Sequence, residues 1–263
     1  MSLALYHNGL SSCSQKVRLV LVEKGLDFES HDVNLMSGGQ HDPEYVKLNP
    51  NHVVPTLVDG DRVLIESTLI NEYLEDAHPE PSLLPGDAGR RHTTRLWVKR
   101  IDEKVHPAAG ILTYAVGPRN MILGQPEAER EAHINAIPDP AKRAIRRSVI
   151  EHGVKAPEFA GALGHFLDLL DDMQAALADA SWLSGESFGL ADAAALPYVL
   201  RLDTLAMTPA IEARPRAADW LARVQARDSY EPAVNAWVPA PIWEMMKKNG
   251  EAVWADVEPL TRL

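Results

Sequence analysis

Cysteine is almost absent from this chain: one of its 263 residues, Cys13, is a cysteine. A single cysteine forms no internal disulfide, offers no Cys-x-x-Cys pair, and fits a reducing compartment. The ten histidines include no i, i+4 pair with a nearby glutamate, which is the spacing of a helical zinc site. We therefore expect neither a disulfide framework nor a metal.

Cationic residues and long apolar runs are also scarce. Lys and Arg number 26 against 37 Asp and Glu, which gives a formal net charge of −11. That balance argues against nucleic acid, whose binding depends on Lys and Arg meeting phosphates. No run of about 18 apolar residues is present to cross a membrane, and the N-terminus lacks the features of a signal peptide. We expect a cytoplasmic protein with two modest domains.

The most informative stretch surrounds the cysteine: Ser11-Ser12-Cys13-Ser14, here called the serine turn. The apolar runs before and after it predict a strand, a polar turn and a helix. Unpaired N–H groups and the helix dipole favour a negative atom at a helix start. That atom is the thiolate of Cys13, since thiol pKa values fall there, or a ligand thiolate that accepts a hydrogen bond from a serine. Plain helix capping is the third interpretation.

The rest of the pattern predicts two domains. Alternating and apolar runs, an Asp59-Gly60 hairpin turn and a helix opening at Glu66 give the order β-α-β-α-β-β-α within residues 1–80. Prolines and glycines make residues 81–89 a linker. Amphipathic segments within residues 90–263 predict an all-helical second domain. Pro55 interrupts a strand-like run, either as a cis proline at a functional position or as a trans proline on an edge strand.

Three motifs that follow one another along the chain resemble those of the glutathione transferase family. The stretch from Ser11 to Arg18 is similar to the zeta-class (maleylacetoacetate isomerase) signature, with Gln15 where that class usually has Trp. Residues 49–57, here called the proline segment, are similar to the family's cis-proline segment. Glu66-Ser67, here called the Glu-Ser pair, matches the dipeptide that holds the γ-glutamyl end of glutathione. Gly189 stands where the family generally has a Ser or Thr helix cap.

The resemblance implies an α/β thioredoxin-like N-terminal domain, an all-α helical C-terminal domain and a homodimer. It also implies glutathione as co-substrate without a metal. The implied catalytic residue is Ser11, with Ser12 second and Cys13 as a nucleophile that forms a mixed disulfide with glutathione. The implied glutathione-binding residues are Gln40, His52, Val54, Pro55, Glu66 and Ser67.

Each implied glutathione contact has a physical reason. Ser67 and the N–H groups of its helix start suit the γ-glutamyl carboxylate, and Glu66 suits the ammonium. The backbone of Val54 is expected to pair with the cysteinyl unit like an added strand. Gln40 and His52 are candidates for the glycyl carboxylate, although both equally fit solvent-facing loop positions.

The second domain is expected to help form the electrophile site. His106, Tyr114 and Arg119 are the candidates to contact the electrophile, with core packing as the alternative for Tyr114. Residues 117–158 are similar to the corresponding insert of bacterial β-etherases. The serine turn and residues 150–153 are similar to stretches of tetrachlorohydroquinone dehalogenase.

Three hypotheses follow. The first is a detoxification-type glutathione transferase that attacks a small hydrophobic electrophile. The second is a Cys13-dependent glutathione thiol transferase or reductive dehalogenase. The third is a non-catalytic binding module, because this fold also serves as an interaction domain.

Overall fold

The computed structural model describes residues 3–262, so that Met1, Ser2 and Leu263, at the ends of the two predicted domains, lie outside the described residues. The order β-α-β-α-β-β-α predicted for the N-terminal part is confirmed. Its elements are β1 Leu3–His7, α1 Ser12–Glu23, β2 Phe28–Asp32, α2 Pro43–Leu48, β3 Thr56–Asp59, β4 Arg62–Ile65 and α3 Ser67–Ala77.

The four strands form one sheet in the order β2-β1-β3-β4. β1 runs parallel to β2 and antiparallel to β3, and β3 runs antiparallel to β4. Alternate residues of β1, namely Leu3, Leu5 and His7, are buried, as the period of two of a strand requires. Gly60 has a φ of 59°, which explains why Asp-Gly joins β3 to β4.

Helices α1 and α3 pack against each other through apolar faces. Val17, Val20 and Leu21 of α1 and Ile70 and Leu74 of α3 are fully buried. Each such side chain contributes about 1.5–3 kcal/mol relative to an exposed one. This packing holds the two helices side by side, and the candidate residues lie at their starts.

The remainder of the described chain is helical. A π-helical turn, Ile101–Val105, joins the helix that ends at Arg100 to the helix that begins at His106. Within residues 3–262, no helix is both long and apolar enough to cross a membrane. The helices are α4 Ala88–Arg100, α5 His106–Val116, α6 Arg119–Leu123, α7 Glu127–Asn135, α8 Pro140–His152, α9 Pro157–Ala176, α10 Leu190–Thr204, α11 Thr208–Glu212, α12 Pro215–Gln225, α13 Tyr230–Ala233 and α14 Ala240–Val257.

Two compact units make up the chain. One contains the residues up to 99 together with 180–197 and 222–239, and the other contains 100–179, 198–221 and the residues from 240 onwards. The sheet and α1–α3 therefore belong to the same unit as two segments from much later in the chain. The linear division into residues 1–80 and 90–263 with a linker at 81–89 stays a prediction.

The start of α10 explains one departure from the family pattern. The Asp192 carboxylate reaches back and accepts the N–H of Gly189 at 3.1 Å, as a capping residue does. A Cβ on Gly189 would lie 2.3 Å from the carbonyl oxygen of Leu83, which accepts the N–H of Leu190 at 2.9 Å. Glycine is therefore required at position 189 by the close approach of another segment.

Candidate active site

Three of the sequence motifs meet at one edge of the sheet. The strand register pairs Tyr6 of β1 with Thr56 of β3, and Thr56 with Ile65 of β4. These three residues lie at the end of β1, the start of β3 and the end of β4. The serine turn follows β1, the last residues before β3 belong to the proline segment, and the Glu-Ser pair follows β4. The topology therefore brings all three motifs to the same edge.

Ser11 is the N-cap of α1. Its Oγ accepts the N–H of Ser14 at 3.2 Å, as a capping serine does. Because the oxygen is the acceptor in this bond, the hydroxyl hydrogen remains available, and it has no acceptor among the described residues. Ser14 is buried, and its Oγ accepts the N–H of Asn8 at 3.3 Å. Capping and donation to a ligand are thus compatible at Ser11. The Ser14 hydroxyl instead bonds to the backbone of the loop before α1.

Ser12 and Cys13 occupy the first turn of α1 after the cap. Both residues are half-buried. The three candidates for thiolate chemistry are therefore consecutive residues at one helix start, where N–H groups and the helix dipole favour negative charge. The choice among them stays a prediction.

Lys16 links the serine turn to the Glu-Ser pair. Its side chain is completely buried, and its Nζ donates to Thr68 Oγ1 at 2.9 Å. Thr68 directly follows the Glu-Ser pair in α3. This bond ties the second turn of α1 to the start of α3, a role that the motifs did not predict for either residue. The position of Lys16 directly before the mainly apolar residues 17–22 was the available signal.

The Glu-Ser pair opens α3. Glu66 is the N-cap with a φ of 68°, and its carbonyl accepts the N–H of Ile70 at 2.8 Å. Its exposed carboxylate accepts a hydrogen bond from Asn51 Nδ2 at 3.3 Å. Ser67 is the first residue of the helix and is buried. The pair combines an anion-favouring helix start with an exposed carboxylate, which suits an amino acid head group.

The proline segment is held by two side chains, Tyr45 before it and Asn49 at its first position. The Tyr45 hydroxyl donates to the carbonyl of Val53 at 2.6 Å, and Asn49 Nδ2 donates to the same carbonyl at 3.0 Å. Burial raises the pKa of Tyr45, so this hydroxyl stays protonated as a donor. The Val54–Pro55 peptide is cis, and the ladder of β3 begins only after it. Neither holding role was predicted from the sequence.

Gln40 and His52 are joined through His41. Gln40 Nε2 lies 3.1 Å from His41 Nε2, and His41 Nδ1 lies 3.2 Å from His52 Nδ1. Burial, and then the neighbouring His52, lower the pKa of His41. Gln40 Oε1 is buried and has no hydrogen-bond partner among the described residues. The two predicted glycyl-carboxylate residues are therefore brought together by a histidine that no sequence motif singled out.

The three predicted electrophile residues all belong to the second unit. His106 is exposed, and its Nδ1 lies 3.0 Å from the hydroxyl of Tyr198. Tyr114 is half-buried beneath the guanidinium of Arg146, whose Cζ is 3.1 Å from the ring centroid. Its apolar part packs on a cluster of three isoleucines, Ile122, Ile134 and Ile150. Tyr114 thus has a packing role, and contact with an electrophile stays a prediction.

Arg119 is engaged at the end of a helix. Its Nε donates to the carbonyl of Ile150 and its Nη2 to that of Glu151, both at 2.9 Å. These carbonyls belong to the last turn of α8, where a cation satisfies unpaired oxygens and complements the helix dipole. Arg119 therefore serves the fold of the second unit, and its role towards an electrophile stays a prediction.

A buried arginine lies in the electrostatic environment of Tyr114. Arg201 of α10 is almost completely buried, and burial lowers its pKa to about 10. Electrostatic interactions with the hydroxyl groups of Tyr198 and Tyr114 act in the opposite direction. No role was predicted for Arg201 or Tyr198 from the sequence, because their burial depends on how the helices pack.

Two family models match the chain. The glutathione S-transferase N-terminal domain matches residues 5–82, and the glutathione S-transferase C-terminal domain matches residues 142–223. The first match contains the serine turn, the proline segment and the Glu-Ser pair. These are the same motifs that lie at one edge of the sheet.

Individual relatives match along most of the chain. Glutathione S-transferase TCHQD of Arabidopsis thaliana is 31% identical over 249 residues, covering 89% of this chain and 91% of the relative. The tetrachloro-p-hydroquinone reductive dehalogenase of Sphingobium chlorophenolicum is 31% identical over 242 residues, covering 88% of this chain and 94% of the relative.

The structural comparison gives the same result. The β-etherase LigF from Sphingobium sp. strain SYK-6 superposes with a TM-score of 0.78 at 28% identity, covering 89% of this chain and 98% of LigF. The α/β domain with a four-stranded sheet and the helical remainder are thus a shared architecture. The chain belongs to the glutathione transferase family.

Proposed function

We propose that this protein binds glutathione with its sulfur over the serine turn and transfers the thiolate to a small hydrophobic electrophile. The observation that carries this proposal is the hydrogen bonding of Ser11. Its oxygen caps α1 and its hydroxyl hydrogen is left to donate, so it can lower the pKa of a bound thiol. The nucleophile is then a thiolate near neutral pH.

The other motifs at the sheet edge match the rest of the glutathione molecule. The start of α3 at Ser67 suits the γ-glutamyl carboxylate and Glu66 the ammonium. Val54, which precedes the β3 ladder, offers backbone groups to the cysteinyl unit. Gln40 and His52, joined through His41, offer donors to the glycyl carboxylate.

We further propose a cytoplasmic homodimer whose reaction needs no metal. The second unit supplies His106, Tyr114 and Arg119 for contacts with the electrophile. The substituents of the electrophile then decide whether the product is that of addition, isomerisation, ether cleavage or dehalogenation. The similarity to a β-etherase and a dehalogenase supports aryl electrophiles as the class to test first.

The thiol pKa of bound glutathione tests this function. Thiolate absorbance is titrated with pH for the wild type and for Ser11→Ala, Ser12→Ala and Cys13→Ala. We expect the pKa of the bound thiol in the wild type to lie well below that of free glutathione, and the Ser11→Ala variant to raise it. Loss of one hydrogen bond to a charged group corresponds to about 1–2 pKa units. If the wild type bound no thiolate, the proposed function would be contradicted and the non-catalytic binding module would be the hypothesis that remains.

Two further variants separate capping from donation at Ser11. Ser11→Thr keeps the cap and the hydroxyl donor, so its bound thiol should titrate like that of the wild type. Ser11→Gly keeps a cap that is weaker than serine by only a few tenths of a kcal/mol and has neither a hydroxyl donor nor a charge, so it should raise the thiol pKa without unfolding α1. Equal thiol pKa values in both variants would show that Ser11 acts only as a cap.

Cys13 supports a second candidate function, because it is a half-buried thiol in the same helical turn. Its thiolate would attack the disulfide of oxidised glutathione, form a mixed disulfide and release one glutathione thiolate. Mass spectrometry after incubation with oxidised glutathione tests this step. An adduct on Cys13 together with loss of dehalogenation in Cys13→Ser would favour the thiol-transferase mechanism over Ser11-assisted transfer.

A further inference from the structure

Arg18 of α1 is a completely buried cation, and among residues 3–262 no carboxylate forms an ion pair with it. Its Nε donates to the carbonyl of Ala233 at 2.8 Å, and its Nη2 donates to that of Gly9 at 3.2 Å. Its Nη1 donates to His7 Nδ1 at 2.9 Å and to the carbonyl of Asn8 at 3.1 Å. Burial of a charge without a counter-ion is costly. The burial of the Arg18 guanidinium lowers its pKa to about 9.

The partners of Arg18 connect it to the serine turn. The carbonyl of Asn8, which accepts from Arg18, also accepts the N–H of Ser11 at 3.3 Å. The Asn8 side chain accepts the N–H of Leu10 at 3.0 Å. The Asn8 carbonyl therefore links the Arg18 guanidinium directly to the backbone N–H of the Ser11 cap.

A segment from far along the chain covers this arginine. Residues 233–237, here called the clamp segment, include Ala233, which accepts the Nε bond, and Trp237, whose ring centroid lies 5.4 Å from the guanidinium carbon. The Trp237 ring also meets His7 edge-on, at 4.6 Å between centroids. A Cβ on Gly9 would lie 2.0 Å from the carbonyl oxygen of Trp237. The loop and the clamp segment are therefore in close contact.

Gln15 supports the same loop. Its Nε2 donates to the carbonyl of Gly9 at 3.3 Å, so this carbonyl accepts from both Gln15 and Arg18. The substitution of Gln for the usual Trp at this position thus has a structural role. Two side chains of α1 hold the loop that enters α1.

We infer that Arg18 is a positioning residue for thiol activation. Its guanidinium fixes the loop of Asn8 and Gly9 against the clamp segment and thereby sets the direction of the Ser11 hydroxyl. The planar fork of arginine reaches three carbonyls and an imidazole at once, which a lysine ammonium does not. This inference rests on the proposed function, because it concerns the same thiol.

The test compares Arg18→Lys and Arg18→Gln with the wild type, using glutathione itself as the probe. Thiolate absorbance against pH gives the pKa of the bound thiol, and calorimetry gives the dissociation constant of glutathione. We expect both variants to raise the thiol pKa by about one unit, which lowers the thiolate fraction about tenfold at a pH below both pKa values. The dissociation constant measured at low pH should change much less, because the peptide contacts remain.

Arg227→Lys is the matched control. Arg227 lies in the same unit and forms a two-pronged ion pair with Glu23, with both N–O distances at 2.7 Å. Its loss should destabilise the unit without moving the thiol pKa. Equal thiol pKa values in the wild type and the Arg18 variants would overturn the inference. So would complete recovery in Arg18→Lys of a shift seen in Arg18→Gln, because charge without the fork would then suffice.

Trp237→Phe covers the case in which the Arg18 variants do not fold. It keeps a ring over the guanidinium but removes the indole N–H, which donates to the carbonyl of Pro232 at 2.6 Å. We expect a smaller rise of the thiol pKa in the same direction, and no rise would overturn the inference. A wild type that binds glutathione without forming a thiolate would instead contradict the proposed function.

Discussion

At the scale of single residues, hydrogen-bond directions decide which side chains remain available for chemistry. Ser11 accepts a backbone N–H and keeps its own hydrogen to donate, whereas the oxygen of Ser14 is buried beneath the loop. His7 shows the same logic. Arg18 has only donors, so His7 Nδ1 must be the acceptor in their bond, and Nε2–H therefore donates to Ser30 Oγ at 2.9 Å. The tautomer of His7 follows from its neighbours.

His7 makes the free energy of unfolding decrease as the pH becomes acidic. Burial, then the Arg18 and His31 charges, lower its pKa from 6.5 to about 4. The unfolded chain therefore binds more protons than the folded chain between these values, and the free energy of unfolding falls as the pH drops from 6.5 to 4. The slope from this one group is at most about 1.4 kcal/mol per pH unit.

Urea unfolding at about pH 7 and about pH 5, on either side of the ordinary histidine pKa, measures this effect. His7→Gln keeps an acceptor for Arg18 but does not titrate, so its stability should fall less between the two pH values than that of the wild type. His41, whose pKa is also lowered, is present in both proteins and cancels in the comparison. The same loss in both proteins would contradict the assignment to His7.

At the scale of elements, the helix starts are shaped by segments that are distant in sequence. The start of α10 meets the carbonyl of Leu83, the start of α3 meets Lys16 of α1, and the loop before α1 meets the clamp segment. In each case the contact with the distant segment determines which residue fits at that position, either a side chain that bonds to the segment or a glycine that leaves room for it. Local capping preferences therefore account for only part of each helix start.

Gly189→Ser restores the cap residue that the family generally has, yet we expect it to destabilise the protein. The new Cβ would lie 2.3 Å from Leu83 O and 2.8 Å from Ser184 Cβ. Overpacking of this kind costs about 1–3 kcal/mol, more than the fraction of a kcal/mol by which a serine cap exceeds a glycine cap. Chemical denaturation measures the difference.

Gly161→Ala is the control for this experiment. Gly161 lies inside α9 and is exposed, and a Cβ added there would meet no atom within 4 Å. Alanine at this position should stabilise the protein by about 0.5–1 kcal/mol. Stabilisation by Gly189→Ser would refute the role assigned to the Leu83 carbonyl.

At the scale of the whole molecule, the unit that carries the sheet has exposed apolar side chains beside an ion pair. Leu69 of α3 is 64% exposed and Leu96 of α4 is 51% exposed. Arg95 of α4 donates to both carboxylate oxygens of Glu72 of α3, which holds these two helices together. Leu69 and Leu96 lie on the two helices that this ion pair joins, so they are the residues to test for an interface with another chain.

We expect a homodimer in which Leu69 and Leu96 are covered. Light scattering should give about twice the 28.9 kDa chain mass, and Leu69→Glu with Leu96→Glu should shift the protein towards monomer. Leu260→Glu, at a residue that is 38% exposed in the other unit, should leave the dimer intact. A dimer that survives the double substitution would place the interface elsewhere.

Much of the N-terminal architecture was predictable because its signals are local. The Asp59-Gly60 turn and the order β-α-β-α-β-β-α each depend on short stretches of neighbouring residues, and both are confirmed. The strand boundaries were less accurate: β3 begins at Thr56 although the apolar run begins earlier. The ladder starts where the partner strands begin, and that is a property of the sheet.

The candidate site divides in the same way. The serine turn, the proline segment and the Glu-Ser pair were found from residue order alone, because helix starts and turns have local chemistry. The roles of Lys16, His41 and Arg18 were not found, because each depends on a contact that sequence order does not reveal. Arg18 and Ala233 are 215 positions apart in the chain.

The sequence by itself determined the order of elements in the N-terminal part, the motifs of the glutathione transferase family and the absence of a disulfide framework. These depend on residue type and on short-range periodicity. Only the tertiary structure decided that Arg18 is buried and that Gly9 and Gly189 lie close to carbonyls of distant segments. The same holds for Arg119, whose side chain donates to a carbonyl in the last turn of α8. Burial and hydrogen-bond partners arise when distant segments pack, so residues of the same type acquire different roles.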